Sequence, residues 1–303
     1  MSFDVTILGA GAAVPTLSRG TTAQFVNCHQ RHILIDCGEA TQLQFRKFKV
    51  KFQKLDIILI SHLHGDHVFG LPGLISTMQL LGRDQPLRII GPQNIKKFLT
   101  QQFEHVGIYR GFPIEFVEIE PNYSGTVFQD NCLSIDTFPL NHRIQTQGYK
   151  ISEKQGKRRL NKAAFENENV SVAYINKLLE GEDIEDNDGK IVESDAVTYP
   201  PNPIKTYAFC SDTAFDASVI PYIKDSDLLY HEATFIDKEA ERASKTFHST
   251  AKQAATIALK ANVKRLILGH FSARYRDTAQ HIEEASAIFE PVFCPDDGER
   301  FIL

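Results

Sequence analysis

Seven consecutive residues, Ser61-His62-Leu63-His64-Gly65-Asp66-His67, carry three imidazoles and a carboxylate within six positions. Imidazole and carboxylate without thiolate are ligands that suit zinc, and also manganese or iron. His62 and His64 are two apart, so on an extended loop both can face one ion, while Asp66 and His67 can turn toward a second. Four ligands do not complete two catalytic sites, so the pattern demands further histidines and an acid elsewhere in the chain. A solvated histidine-rich turn, the bland alternative, needs no such partners.

The elements that must position these groups can be read around them. Leu55-Asp56-Ile57-Ile58-Leu59-Ile60 is a short apolar, β-branched run, as expected of a buried strand. The stretch 69–81 reads as an apolar helix with Pro72 in its first turn, where a missing N–H costs little. The histidines therefore fall on a loop at the carboxyl end of a buried strand, where α/β folds place their chemistry. Upstream, a strand over 3–8 runs into Gly9-Ala10-Gly11-Ala12-Ala13-Val14. That run approaches the dinucleotide fingerprint but ends in valine, and the turn residues Pro15 to Thr22 follow where a helix should begin. It reads instead as a glycine-rich turn beside an active site. Strands over 23–27 and 32–35 pair, and the second delivers Asp36, either placed to orient a histidine from behind or a simple turn aspartate, before a helix over 40–48.

Further on, a strand over 87–91, a helix over 94–105 and a strand over 114–119 describe an α/β architecture. A strand over 133–138 leads to His142, and one over 206–210 to Asp212, a carboxylate that could bridge two ions. A strand over 228–230 runs into His231-Glu232. His248-Ser249-Thr250 precedes a helix over 251–261, with Ser249 or Thr250 as its N-cap, and a strand over 265–269 ends at His270. Four strand ends thus carry potential ligands: the 61–67 loop, His142, Asp212 and His270.

The 303 residues allow one large α/β domain or two small ones. No apolar run approaches the ~20 residues of a membrane span. Five cysteines without a C-x-x-C pair fit free thiols in a reducing cytoplasm. A net charge of −5 leaves nucleic-acid binding to local basic patches or metal ions. The stretch 150–203 changes character. Lys150, Lys154, Lys157, Arg158, Arg159 and Lys162 face one acid, Glu153; between Glu180 and Asp195 eight acids face one lysine; Pro200-Pro201-Asn202-Pro203 then reads as a stiff connector. This is an arm outside the core, either a solvated excursion or a clamp for a phosphate backbone.

Taken together, D-C-G-E-A-T-Q at 36–42, S-H-L-H-G-D-H at 61–67, N-H at 141–142, S-D-T at 211–213, H-E-A-T-F at 231–235, H-S-T at 248–250 and G-H-F-S at 269–272 resemble the metallo-β-lactamase superfamily. Within it they are similar to the ribonuclease Z family, endonucleases of tRNA 3′ processing, in its short form. The likeness covers the whole chain. It implies one α/β domain over 1–303, an αββα metallo-β-lactamase sandwich, with an inserted flexible arm, or exosite, at about 150–203. It implies two zinc ions per chain, one on His62, His64 and His142, the other on Asp66, His67 and His270, with Asp212 bridging. Asp66 would also orient or deprotonate the nucleophile, and His248, supported by Glu232, would protonate the leaving 3′ oxygen. The implied partner is precursor tRNA, held by Lys154, Lys157, Arg158, Arg159 and Lys162 of the arm. The family's P-x-K-x-R-N loop reads Pro15-Thr16-Leu17-Ser18-Arg19-Gly20 here, so Arg19 is its remaining basic contact to the tRNA 3′ end. A cytoplasmic homodimer with no membrane attachment completes the expectation.

Three rivals are weaker. A phosphodiesterase of small diesters has no use for a basic arm. An iron redox protein of this fold typically carries glutamate at the position of His64. A silent RNA-binding protein leaves the full ligand set unexplained.

Overall fold

The computed structural model describes residues 2–107, 111–168, 170–186 and 188–303. The chain forms two compact units, residues 1–152 with 205–303, and residues 153–204.

The larger unit is built on two seven-stranded sheets. The first runs, edge to edge, Arg300–Ile302, Phe3–Gly9, Ala23–Cys28, Arg31–Ile35, Ile57–Leu59, Leu87–Pro92 and Ile114–Ile119. Its first four strands pair antiparallel and its last four parallel. The second runs Val292–Phe293, Leu266–Gly269, Leu228–Glu232, Thr206–Cys210, Thr146–Glu153, Leu133–Leu140 and Gly125–Gln129.

Period-two alternation sorts the first sheet's side chains into two cores. Ile7, Ile33, Ile35, Ile57 and Leu59 pack with Ile135, Tyr149, Ile151, Tyr207 and Phe209 of the second sheet. Their neighbours Leu8, Leu34, Ile58, Ile60 and Ile89 join Phe45, Leu74, Ile75, Leu99 and Phe103 from the helices Thr41–Lys47, Leu71–Leu80 and Ile95–His105. On the far side of the second sheet, Ala254, Ala255 and Ala258 of the helix Ala251–Lys260 close the sandwich. The layers are thus helix, sheet, sheet, helix. Tyr149 donates across the interior to the Ile60 carbonyl at 2.7 Å, and Tyr207 to Gln24.

The expected helix over 69–81 is observed as Leu71–Leu80, and the metal-ligand loop before it holds a further short helix, Gly65–Val68, with a break between the two at 69–70. At the break the Gly70 N–H donates to the Cys37 carbonyl at 2.9 Å. A β-carbon at Gly70 would strike the Gly38 carbonyl, and one at Gly38 would strike Thr21 and the Asp66 carbonyl. Two glycines therefore let the metal-ligand loop lie flat against the 36–40 turn.

The smaller unit has its own core of Phe165, Leu178, Ile184, Val192 and Val197. Two short antiparallel ladders, Arg159–Leu160 with Thr198–Tyr199 and Ile184–Glu185 with Ile191–Val192, accompany three short helices. Asn161 caps the first by accepting from Ala164 N–H. Its acidic and basic blocks meet one another: Lys157 pairs with Glu180 at 2.8 Å and Arg158 with Asp195, while Lys162 pairs within its own helix with Glu166 at 3.6 Å. Arg159 lies over the Tyr199 ring, and Lys154 is exposed.

Candidate metal centre and catalytic residues

The ligand candidates leave the carboxyl ends of strands in both sheets. His62, His64, Asp66 and His67 follow Ile57–Leu59 in the first; His142, Asp212 and His270 follow Leu133–Leu140, Thr206–Cys210 and Leu266–Gly269 in the second. Their donor atoms converge in two groups. In the first, His62 Nε2 lies 3.0 Å and His142 Nε2 3.3 Å from His64 Nδ1, and the two Nε2 atoms lie 3.7 and 3.8 Å from Asp212 Oδ2. In the second, His67 Nε2 and His270 Nε2 are 3.3 Å apart, 3.6 and 3.4 Å from Asp66 Oδ2, and 3.3 and 3.2 Å from Asp212 Oδ1. Asp212 therefore turns one oxygen to each group.

These spacings can be tested against a metal. Four ligands at about 2.0–2.1 Å around a tetrahedral zinc stand about 3.3 Å from one another. Both groups match that edge length, and both offer only nitrogen and carboxylate oxygen, so the residues present fit a pair of ions.

Acceptors behind the histidines choose which nitrogen faces the centre. His67 Nδ1 is 2.7 Å from Asp36 Oδ2, and Asp36 also accepts from Ser61 N–H at 2.7 Å and Ser61 Oγ at 2.8 Å. Ser61 Oγ, its proton given to Asp36, can accept from His62 Nδ1 at 3.0 Å. His142 Nδ1 donates to the Phe247 carbonyl at 2.9 Å, and His270 Nδ1 lies 2.8 Å from Thr234 Oγ1. Each of these four rings thereby keeps an Nε2 lone pair for an ion. Asp36, Phe247 and His270 sit at φ near +60°, a left-handed backbone that costs roughly 1–2 kcal/mol per residue and collects at functional sites.

The electrostatics agree. Burial holds His62, His64 and His142 below the ordinary histidine value, which leaves them neutral. Burial also pulls on His67, but the Asp212 and Asp36 carboxylates outweigh it and hold the ring well above that value. Burial opposes ionisation of Asp66 and Asp212, and the surrounding histidines hold both below the usual carboxylate range. A field that draws a proton onto a fully buried imidazole also draws a metal cation.

Beside this cluster, His248 Nδ1 lies 2.8 Å from Glu232 Oε1 and 3.9 Å from Asp212. The nearer carboxylate claims that nitrogen. Burial lowers the His248 pKa, and the buried Glu232 carboxylate reverses this and raises it to about 9. His248 lines a cavity of about 340 Å³ with His64, Asp66, Arg143 and Phe235. The backbone N–H of Ala13 donates to Asp66 Oδ2 at 2.7 Å, so the glycine-rich turn reaches the centre through its backbone. Sequence reasoning missed this contact, Thr234, Arg143 and Phe235. Thr234 and Phe235 belong to the quoted H-E-A-T-F and Arg143 follows the quoted N-H, so motif membership or adjacency could have flagged these three, and nothing in residue type flags a backbone donor.

Arg19 lies elsewhere. Its guanidinium sits over the Phe271 ring and 3.6 Å from Asp296, with a side chain only 13% exposed. Of the arm residues expected to hold substrate, Lys157, Arg158 and Lys162 are engaged by carboxylates of their own unit.

Comparison with known proteins follows the same lines. Residues 3–151 match the family described as anti-Pycsar protein Apyc1. The chain is 43% identical over 302 residues to a ribonuclease Z of Porphyromonas gingivalis, covering 100% of this chain and 99% of the relative. Among solved structures it is similar to human tRNase Z, short form, at 27% identity and a TM-score of 0.72 over 98% of each chain. The metallo-β-lactamase fold protein YhfI from Bacillus subtilis shares the fold at 18% identity, with a TM-score of 0.70 over the full length of both.

Proposed function

The chain belongs to the ribonuclease Z family and is an endoribonuclease of tRNA 3′ processing; from that premise we propose that it works with two zinc ions and leaves a 3′-hydroxyl on the tRNA. The observation that carries the reading is the orientation of Asp212, one oxygen toward His62, His64 and His142 and the other toward His67 and His270. A carboxylate so placed is the natural bridge of a two-ion site. In this reading His62, His64 and His142 hold one ion and Asp66, His67 and His270 the other.

When bound, such a pair supplies Lewis acidity toward the scissile phosphate and a water nucleophile near neutral pH. The protein groups do the rest. Asp66, fixed by the Ala13 N–H, orients the attacking water and takes its proton. His248, held by Glu232, faces the cavity with its other nitrogen and delivers a proton to the 3′ oxygen as its bond to phosphorus breaks. The phosphate leaves with the trailer, and the tRNA keeps a 3′-hydroxyl.

The unit 153–204 acts as the exosite, its Lys154, Lys157, Arg158, Arg159 and Lys162 taking the folded body of the precursor tRNA. Exposed ion pairs such as Lys157–Glu180 are weak because water screens them, so phosphates can displace the carboxylates at little cost. Arg19, turned onto Phe271 in this structure, would have to swing out to reach the tRNA 3′ end. The enzyme works in the cytoplasm as a homodimer, in which the arm of one chain can serve the site of the other. Among the described residues no helix is long and apolar enough to cross a membrane.

The test is direct. Purified protein with a trailer-bearing precursor tRNA should cut on the 3′ side of the tRNA, leave a 3′-hydroxyl, contain two zinc ions per chain and lose activity on chelation. One iron and no zinc, or no cut in the precursor, would falsify the reading.

A further inference from the structure

We propose that the Thr234 hydroxyl is a positioning group that locks the acid pair His248–Glu232 to the metal ligand His270, by deciding which His270 nitrogen faces the ions. Glu232, whose side chain is fully buried, has a hydrogen partner in every acceptor direction. Its Oε1 receives the Thr213 N–H at 3.1 Å and lies 2.8 Å from His248 Nδ1. Its Oε2 receives the Thr234 N–H at 2.9 Å and the Thr234 hydroxyl at 2.7 Å. An ionised carboxylate has four acceptor directions and no donor, so all four are filled and each neighbour must donate.

That assignment fixes the next link. Thr234 has one hydroxyl proton, and it is spent on Glu232. Toward His270 Nδ1, 2.8 Å away, the hydroxyl oxygen can only accept. The His270 proton must therefore sit on Nδ1, and the unprotonated Nε2 points at Asp212 Oδ1 and Asp66 Oδ2. The opposite arrangement, with Thr234 donating to His270, would leave two acceptors facing each other 2.7 Å apart at Glu232. Asp36 performs this service for His67 as a carboxylate; Thr234 performs it for His270 as a relay whose other end is the acid pair. The β-branch of threonine restricts the hydroxyl to few rotamers, which suits a fixed relay.

The inference rests on the two-zinc reading, and the experiment separates the two. Zinc affinity of Thr234→Val, which keeps the shape and removes the hydroxyl, is compared with wild type and Thr234→Ser by competition with a chromogenic chelator. In Thr234→Val one of the two ions should bind ~10–100-fold more weakly, and Thr234→Ser should restore it. At saturating zinc, kcat for precursor tRNA should fall in Thr234→Val with KM unchanged. Wild type binding fewer than two ions would sink the underlying reading. Wild type binding two and Thr234→Val binding both as tightly, or Thr234→Ser impaired as badly as Thr234→Val, would overturn the relay alone. Should the valine variant not fold, Thr234→Ala removes the hydroxyl without β-branching and carries the same comparison.

Discussion

Removing the His248 imidazole leaves both donor groups intact, because its Nδ1 is committed to Glu232 at 2.8 Å and stands 3.9 Å from Asp212. His248→Ala should therefore retain two zinc ions while the single-turnover cleavage rate drops ~10²–10⁴-fold, the usual contribution of a general acid. Asp66→Ala should lose both turnover and one ion, since the same carboxylate faces His67 and His270. Metal analysis beside single-turnover kinetics distinguishes the two, and wild-type turnover in His248→Ala would rule out its role as acid. At this scale the sequence is informative wherever residue type implies chemistry. Histidines and acids at strand ends announce ligands. Thr234 does not announce itself, because its role comes from where its one proton goes. The Ala13 contribution is a backbone N–H, which any residue but proline would supply.

At the scale of elements, Asp227 shows how the second sheet's parallel strands are tied at the end remote from the centre. Its buried carboxylate accepts the Thr206 N–H and the Lys264 ammonium, at 2.8 and 2.7 Å, just before the strand Leu228–Glu232. Burial opposes ionisation, and the Lys264 and Thr206 hydrogen bonds overcome it and hold the pKa below the usual carboxylate range. A depressed carboxylate stabilises the fold above the unfolded value of about 3.9 and loses that contribution as the pH falls through its folded value. Asp227→Asn should thus be less stable than wild type by roughly 1–3 kcal/mol at pH 7, and denaturant unfolding should show the gap closing in acid. An equal gap at both pH values would mean that the charge is not what stabilises. The elements themselves are largely readable. Thr250 proves to be the cap of Ala251–Lys260, in a reciprocal box with Gln253, as its position before an apolar helix suggests. The break at Gly70 is not readable, because it answers to Gly38, thirty-two residues away in the chain. Strand order is equally hidden, since no local pattern states that Phe3–Gly9 lies between Ala23–Cys28 and Arg300–Ile302.

At the scale of the molecule, the unit 153–204 is inserted between two paired strands. Ser152 stands opposite Thr206 in an antiparallel register, so a short glycine-rich turn could rejoin the two strands. Deleting 153–204 in this way should raise KM for precursor tRNA and flatten its salt dependence, since fewer counterions are released when fewer phosphates are neutralised. Hydrolysis of bis(p-nitrophenyl) phosphate should survive, because the candidate metal ligands all lie in the larger unit. Unchanged tRNA cleavage would make the segment a surface excursion. The charges of this unit mislead when read linearly. It carries eleven acids and seven bases, and folding pairs blocks that stand more than twenty residues apart, as in Lys157 with Glu180.

The centre draws its donors from both sheets, and His67 and His270 meet across 203 positions of chain. An ion held there is a cross-link, the counterpart of a disulfide closing a very long loop. Once bound, its binding free energy becomes cohesion between the sheets. The metal supply of the cell then sets two quantities at once, how fast a precursor is cut and how long each copy of the fold persists.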